Sequence, residues 1–174
     1  MRRALTGEDG SGYAIAQWKT VRKVQLEDDM NLLPCVSAND RPRRRTILLV
    51  EDEPFVREAT CGILQSAGFE VLPAGDAQDA MAVYEACKRE IDLVMTDMVL
   101  PGRTGQELGQ DLRQRSPGIA VLVTSGYSNP EYEAEAPELR TYFLAKPYSR
   151  RTLVEKIEKI LAAVALRRVA TQAS

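Results

Sequence analysis

The 174-residue sequence contains no histidine. That absence rules out a Ser-His-Asp triad, a histidine-based metal centre and a phosphorylatable histidine of the chain's own, so the chain cannot itself be a histidine kinase. Cysteine is scarce too. The three that occur, Cys35, Cys61 and Cys87, are odd in number and far apart, which suits neither a zinc site nor a disulfide framework and points to a reducing compartment. Long apolar runs are also missing. None is long enough to span a bilayer, and the N-terminal stretch lacks the continuous apolar core of a signal peptide. A soluble, cytoplasmic protein with no membrane partner is the expectation.

What is present is enough for one domain with appendages, since 44% of the residues are hydrophobic. The formal charge of -2 hides an asymmetry: residues 1–45 hold nine Lys/Arg against six Asp/Glu, whereas residues 46–174 hold 14 against 19. An acidic main domain offers no broad basic surface for gripping a phosphate backbone, so direct DNA binding is not expected of it.

Residues 1–45 read as an N-terminal extension, with a short helix conceivable between Tyr13 and Leu33 and a basic end at Arg41, Arg43, Arg44 and Arg45. From Thr46 onward, short apolar runs alternate with segments of helical period. The runs are Ile47–Val50, Glu70–Leu72, Asp92–Met95, Ile119–Val123 and Tyr142–Leu144. Several are apolar at every position, as parallel strands covered on both faces require. Between them, Val56, Ile63 and Ala67 mark a first helix after Pro54, Ala77, Met81, Tyr84 and Cys87 a second, and Leu108 and Leu112 a third. The last helix is the clearest, with Leu153, Ile157, Ile160, Leu161 and Val164 on one face. A further helix between Asn129 and Arg140 is poorly supported, because Pro130, Pro137 and four glutamates leave little to bury. Gly68, Asp76 and Thr104 are cap candidates.

In an open parallel sheet, ligands bind beyond the carboxyl ends of the strands where the strand order reverses. Glu51 and Asp52 follow the first run, Asp97 the third, Thr124 ends the fourth and Lys146 follows the fifth. Three carboxylates in one crevice repel one another, and a hard divalent cation with oxygen ligands, Mg²⁺ by preference, would relieve them. Lys146 can supply a point charge to a phosphate oxygen and Thr124 a hydroxyl donor. An aspartate is a competent phosphoryl acceptor, since phosphoryl transfer asks mainly for positioning and charge neutralisation. Singly, each residue is as readily a cap or turn; five such residues at four strand ends are not.

The stretches ILLVEDEP (47–54), VMTDMVLPGRTG (94–105), VLVTSGY (121–127) and FLAKPY (143–148) resemble the receiver domain of bacterial two-component response regulators. The resemblance covers about residues 46–166, leaving 167–174 as a tail. It implies a flavodoxin-like, doubly wound (βα)5 fold with a five-stranded parallel sheet in the order 2-1-3-4-5. It further implies that Glu51, Asp52, Asp97 and the Val99 carbonyl hold Mg²⁺, and that Asp97 takes the phosphoryl group from a histidine kinase or histidine-phosphotransfer protein. Lys146 would bind phosphate, and Thr124 and Phe143 would be the switch residues. The chain would be a signalling phosphoacceptor rather than an enzyme with a substrate of its own. Many members carry a polar residue two positions after the acceptor, where Val99 stands here, which implies a long-lived phosphoryl group.

With only ten residues after Val164, a single-domain regulator is expected, similar to receivers attached to hybrid histidine kinases, with its target unspecified. The alternative is a phosphorylation-independent module that binds a protein, or nucleic acid through Arg41–Arg45.

Overall fold

The computed structural model describes residues 43–87, 91–126 and 140–172, with the side chains of the last helix described to Leu166. The expected helix at Tyr13–Leu33, Cys35 and the weak helix between Asn129 and Arg140 lie outside the described residues. The elements are β1 (Thr46–Val50), α1 (Pro54–Ser66), β2 (Glu70–Ala74), α2 (Ala77–Cys87), β3 (Ile91–Asp97), β4 (Val99–Leu100), β5 (Arg103–Thr104), α3 (Gly105–Arg115), β6 (Ala120–Ser125), β7 (Thr141–Ala145) and α4 (Arg150–Gln172).

Five strands form one parallel sheet in the order β2-β1-β3-β6-β7, which is 2-1-3-4-5 among the sheet strands as the chain meets them. The central strands are buried along their length, as their unbroken apolar runs require. Pro73 lacks a backbone donor and sits in edge strand β2, where that costs least. On one face Ile47, Leu49, Leu93, Met95, Ala120 and Leu122 pack with Leu64 of α1 and with Leu153, Ile157, Ile160, Leu161 and Val164 of α4. The alternate strand residues, among them Leu48, Val94 and Val121, are turned to the other face, on which α2 and α3 pack.

The apolar face of α4 is the one the periodicity marks, although its backbone continues to Gln172, beyond the last periodic residue, Val164. In α1 the stripe differs: Val56 is 38% exposed, and the buried positions are Thr60 and Leu64. Helix α1 starts on Pro54, whose fixed φ suits the opening turn, and Val56 lies among the exposed residues of that turn. In α2, Ala80 and Val83 join Ala77, Tyr84 and Cys87 in the core, while Met81 is half-buried.

Three helix ends are capped. Helix α1 ends in a Schellman motif, with Gly68 at φ 92°, its N–H donating to Gln65 and the Phe69 N–H to Leu64. Asp76 accepts from the Asp79 N–H at 2.8 Å at the start of α2. Thr104 and Glu107 form a full capping box on α3, and the bonds from Thr104 hold the exposed Glu107 carboxyl below its ordinary pKa. The short β4–β5 hairpin was not legible as strand pairing; it turns at Pro101-Gly102, where Gly102 takes φ 77° as a type II turn demands.

Candidate phosphoryl-acceptor site

Glu51 and Asp52 leave the carboxyl end of β1, Asp97 is the last residue of β3, and Lys146 directly follows β7. The sheet therefore delivers all four side chains to one crevice at the turning point of its strand order, between β1 and β3. Carboxylate oxygens of Glu51, Asp52 and Asp97 lie within 4.8 Å of one another. The Lys146 ammonium donates to Asp97 Oδ2 at 2.7 Å and to Glu51 Oε2 at 2.8 Å. Glu51 is buried, Asp97 and Lys146 are part-buried and Asp52 is exposed, so the cluster opens to solvent on the Asp52 side.

The electrostatics follow from that crowding. Burial raises the pKa of Glu51; the hydrogen bond and charge of Lys146 pull it back, and Asp97 and Asp52 push it up again. Burial alone would lower the pKa of Lys146, but its bonds to Asp97 and Glu51 outweigh that and the net shift is upward. Lys146 is thus held as an ammonium. One ammonium, bonded to Glu51 and Asp97, stands against three carboxylates, which leaves a formal excess of two negative charges. At about 4 Å and an effective dielectric near 20, each unrelieved like pair costs about 4 kcal/mol.

The sequence profile of the response regulator receiver domain matches residues 47–158. The chain belongs to the response regulator receiver family. It is 34% identical over 125 residues to the sensor kinase CckA of Brucella abortus, covering 71% of this chain and 13% of that protein. It is 31% identical over 116 residues to the sensory transduction protein RegX3 of Mycolicibacterium smegmatis, covering 67% of this chain and 50% of that one. A CheY-like receiver domain from Methanospirillum hungatei superposes with a TM-score of 0.64 at 26% identity, covering 72% of this chain and 99% of the other. The chain spans half the length or less of the curated relatives CckA and RegX3. Receiver domains of two-component systems are phosphorylated by histidine kinases and typically bind Mg²⁺ in an acidic pocket, and this receiver carries such an acidic cluster. Among the described residues, no helix is long and apolar enough to cross a membrane.

The remaining expected residues lie around this cluster. Thr124 of the receiver is paired in register with Asp97 and is buried, and its hydroxyl donates to the Thr96 carbonyl at 3.3 Å. Val99 is 60% exposed beside Asp97, its N–H making a long 3.4 Å contact with Asp97 Oδ1. Phe143 is half-buried and pairs with Val123, so strand alternation puts it on the opposite sheet face from Thr124. It is not part of the carboxylate cluster. The Lys146-Pro147 peptide is cis.

Three contributors are absent from the motif-based residue set. Arg57 of α1 donates to the carbonyls of Glu51 at 2.6 Å and Asp52 at 3.2 Å. Thr96, fully buried, donates to the Asp97 carbonyl at 3.0 Å while its own carbonyl receives Thr124. Gly105 comes so close to β3 that a Cβ there would overlap the Asp97 carbonyl oxygen and stand 2.8 Å from Thr96 Oγ1. The only sequence hint for Gly105 is its place in the PGRTG stretch. Arg45, counted in the basic run, instead pairs with the buried Asp92 at 3.1 Å, and Asp92 also accepts from the Thr46 N–H at 2.9 Å.

Gly105→Ala is expected to destabilise the receiver by about 1–3 kcal/mol, because the obstruction is backbone and cannot swing aside. The gain in helix propensity, about 1 kcal/mol at most, offsets only part of this. Urea denaturation checks it, and a variant as stable as the native chain would contradict the close approach.

Proposed function

We propose that this receiver accepts a phosphoryl group onto Asp97 from a phosphohistidine of a histidine kinase or histidine-phosphotransfer protein, and that the transfer switches a protein-interaction surface. The observation that carries this reading is the deficit of positive charge: three carboxylates lie within 4.8 Å of one another, and the Lys146 ammonium bonds two of them, Glu51 and Asp97. The donor set is all oxygen and two negative charges in excess, which fits Mg²⁺. Glu51, Asp52, Asp97 and the carbonyl of Val99 would hold the ion. Once bound, Mg²⁺ supplies charge neutralisation for the incoming phosphoryl oxygens.

The chain's own residues do the rest. An Asp97 carboxylate oxygen forms the new O–P bond as the donor's P–N bond breaks, and the imidazole leaves neutral once its other nitrogen carries a proton. Lys146, already bonded to Asp97, moves onto a phosphoryl oxygen without leaving the crevice. The Thr124 hydroxyl exchanges the Thr96 carbonyl for a phosphoryl oxygen by turning about χ1, and the shift of β6 reaches Phe143 through the paired backbone. Residues 46–166 carry this chemistry, and residues 1–45 and 167–174 are appendages to it.

The test is incubation of the full chain with acetyl phosphate. A hydroxylamine-labile phosphoryl group should appear with Mg²⁺ and not after chelation, and borohydride reduction should convert residue 97 to homoserine in the peptide mass spectrum. No incorporation under any condition would sink the proposal.

Val99 also bears on the lifetime of the product. Its side chain offers no polar group to order an attacking water beside Asp97. Val99→Asn should therefore shorten the phosphoryl half-life several-fold, followed by loss of label after removal of acetyl phosphate; an unchanged or longer half-life would refute this.

A further inference from the structure

Glu51 and Asp52 do not stand where they do because of their own side chains alone. Where β1 ends, the Glu51 N–H still donates to Ala74 of β2 at 3.2 Å, but the carbonyls of Glu51 and Asp52 point out of the ladder and need donors. Arg57 supplies them. Its Nη1 reaches the Glu51 carbonyl at 2.6 Å and the Asp52 carbonyl at 3.2 Å. Its own backbone N–H donates to Glu53 at 2.9 Å, so loop and first helical turn close into one unit. The guanidinium lies beside Gly75, which follows β2: a Cβ there would stand 3.6 Å from Nη1, at ordinary contact distance. Fixing two successive carbonyls fixes two peptide planes, and with them the directions in which both acidic side chains leave the backbone.

We infer that Arg57 is a positioning residue for the acidic pair, holding the Glu51 and Asp52 backbone so that their carboxylates converge with Asp97 on a divalent cation. The inference rests on the Mg²⁺ reading above. It competes with an opposite expectation. Arg57 is a cation close behind an acidic cluster, and if only its charge mattered, removing it would tighten cation binding. If its grip on the two carbonyls matters more, removing it loosens the site despite the favourable change in charge. Groups that orient metal ligands typically contribute about 10–100-fold in affinity. The sign of the change therefore separates positioning from charge.

The experiment is titration of the full chain with Mg²⁺ by calorimetry and with Mn²⁺ by electron paramagnetic resonance, in the native sequence, Arg57→Met, Arg57→Gln and Arg57→Lys, with urea denaturation to confirm folding. Arg57→Met should bind about tenfold more weakly, and Arg57→Lys, which keeps a donor, should recover part of the loss. At saturating Mg²⁺ the rate of labelling by acetyl phosphate should return close to native, since the acceptor and Lys146 are untouched. Equal or tighter binding in Arg57→Met overturns the inference; should that variant not fold, Arg57→Gln decides by the same sign. Failure of the native protein to bind either ion would instead overturn the Mg²⁺ reading itself, and the inference with it.

Discussion

Asp97→Asn is expected to reduce phosphoryl incorporation from acetyl phosphate to background while leaving the fold intact. The substitution is nearly isosteric, and the amide oxygen can still accept from Lys146, so the crevice keeps its shape. What disappears is the nucleophile, because an amide oxygen does not form a stable bond to phosphorus under conditions where a carboxylate does. Asp52 is the exposed carboxylate of the same cluster, so the result discriminates between it and Asp97. Label remaining in the variant, mapped to Asp52 or elsewhere, would show that the acceptor has been assigned to the wrong residue. Intact-mass measurement before and after hydroxylamine gives the answer.

Lys146→Met should slow labelling by about 10²–10³-fold, the usual effect of removing one positioned charge or donor from a developing anion. Its second effect runs the other way. Lys146 at present contacts Asp97 and Glu51 at 2.7 and 2.8 Å, and so competes with any cation for the same oxygens. Without it the three carboxylates have no contacting ammonium, and Mg²⁺ should bind more tightly than to the native protein. Slower transfer with tighter cation binding is a combination that simple misfolding cannot produce. Native labelling rates in the variant would exclude Lys146 from the chemistry. The contrast with Arg57 is physical: one cation faces the carboxylates and opposes a metal, the other grips their backbone and prepares for one.

Much of the site was legible because a parallel sheet turns sequence order into position. Each apolar run ends in a known direction, so polar residues just after Val50, Thr96 and Ala145 have to emerge at one edge. The face of α4 was legible for a related reason, since five residues at helical spacing leave one way to pack. Reading was less successful where a side chain acts through the backbone. Arg57 looks like a solvated helix charge until its carbonyl partners are seen, and Thr96 like one more strand residue. Val56 misled because apolar character alone does not fix which face of a helix is buried, and here Thr60 and Leu64 take that face. Arg45 misled because a buried acid 47 positions away, Asp92, claims it.

The sequence by itself determined the parallel α/β class, the strand ends that carry Glu51, Asp52, Asp97, Thr124 and Lys146, and the exclusion of any histidine chemistry within the chain. Those follow from periodicity and composition, which are local properties of the chain. Only the tertiary structure decided that Lys146 bridges Asp97 and Glu51, that the Thr124 hydroxyl rests on the Thr96 carbonyl, that Gly105 must lack a Cβ, and that Arg57 holds the acidic pair from behind. These are contacts between segments that meet only when the strands pair, and no local pattern records where a long side chain or a bare backbone will stand once they do.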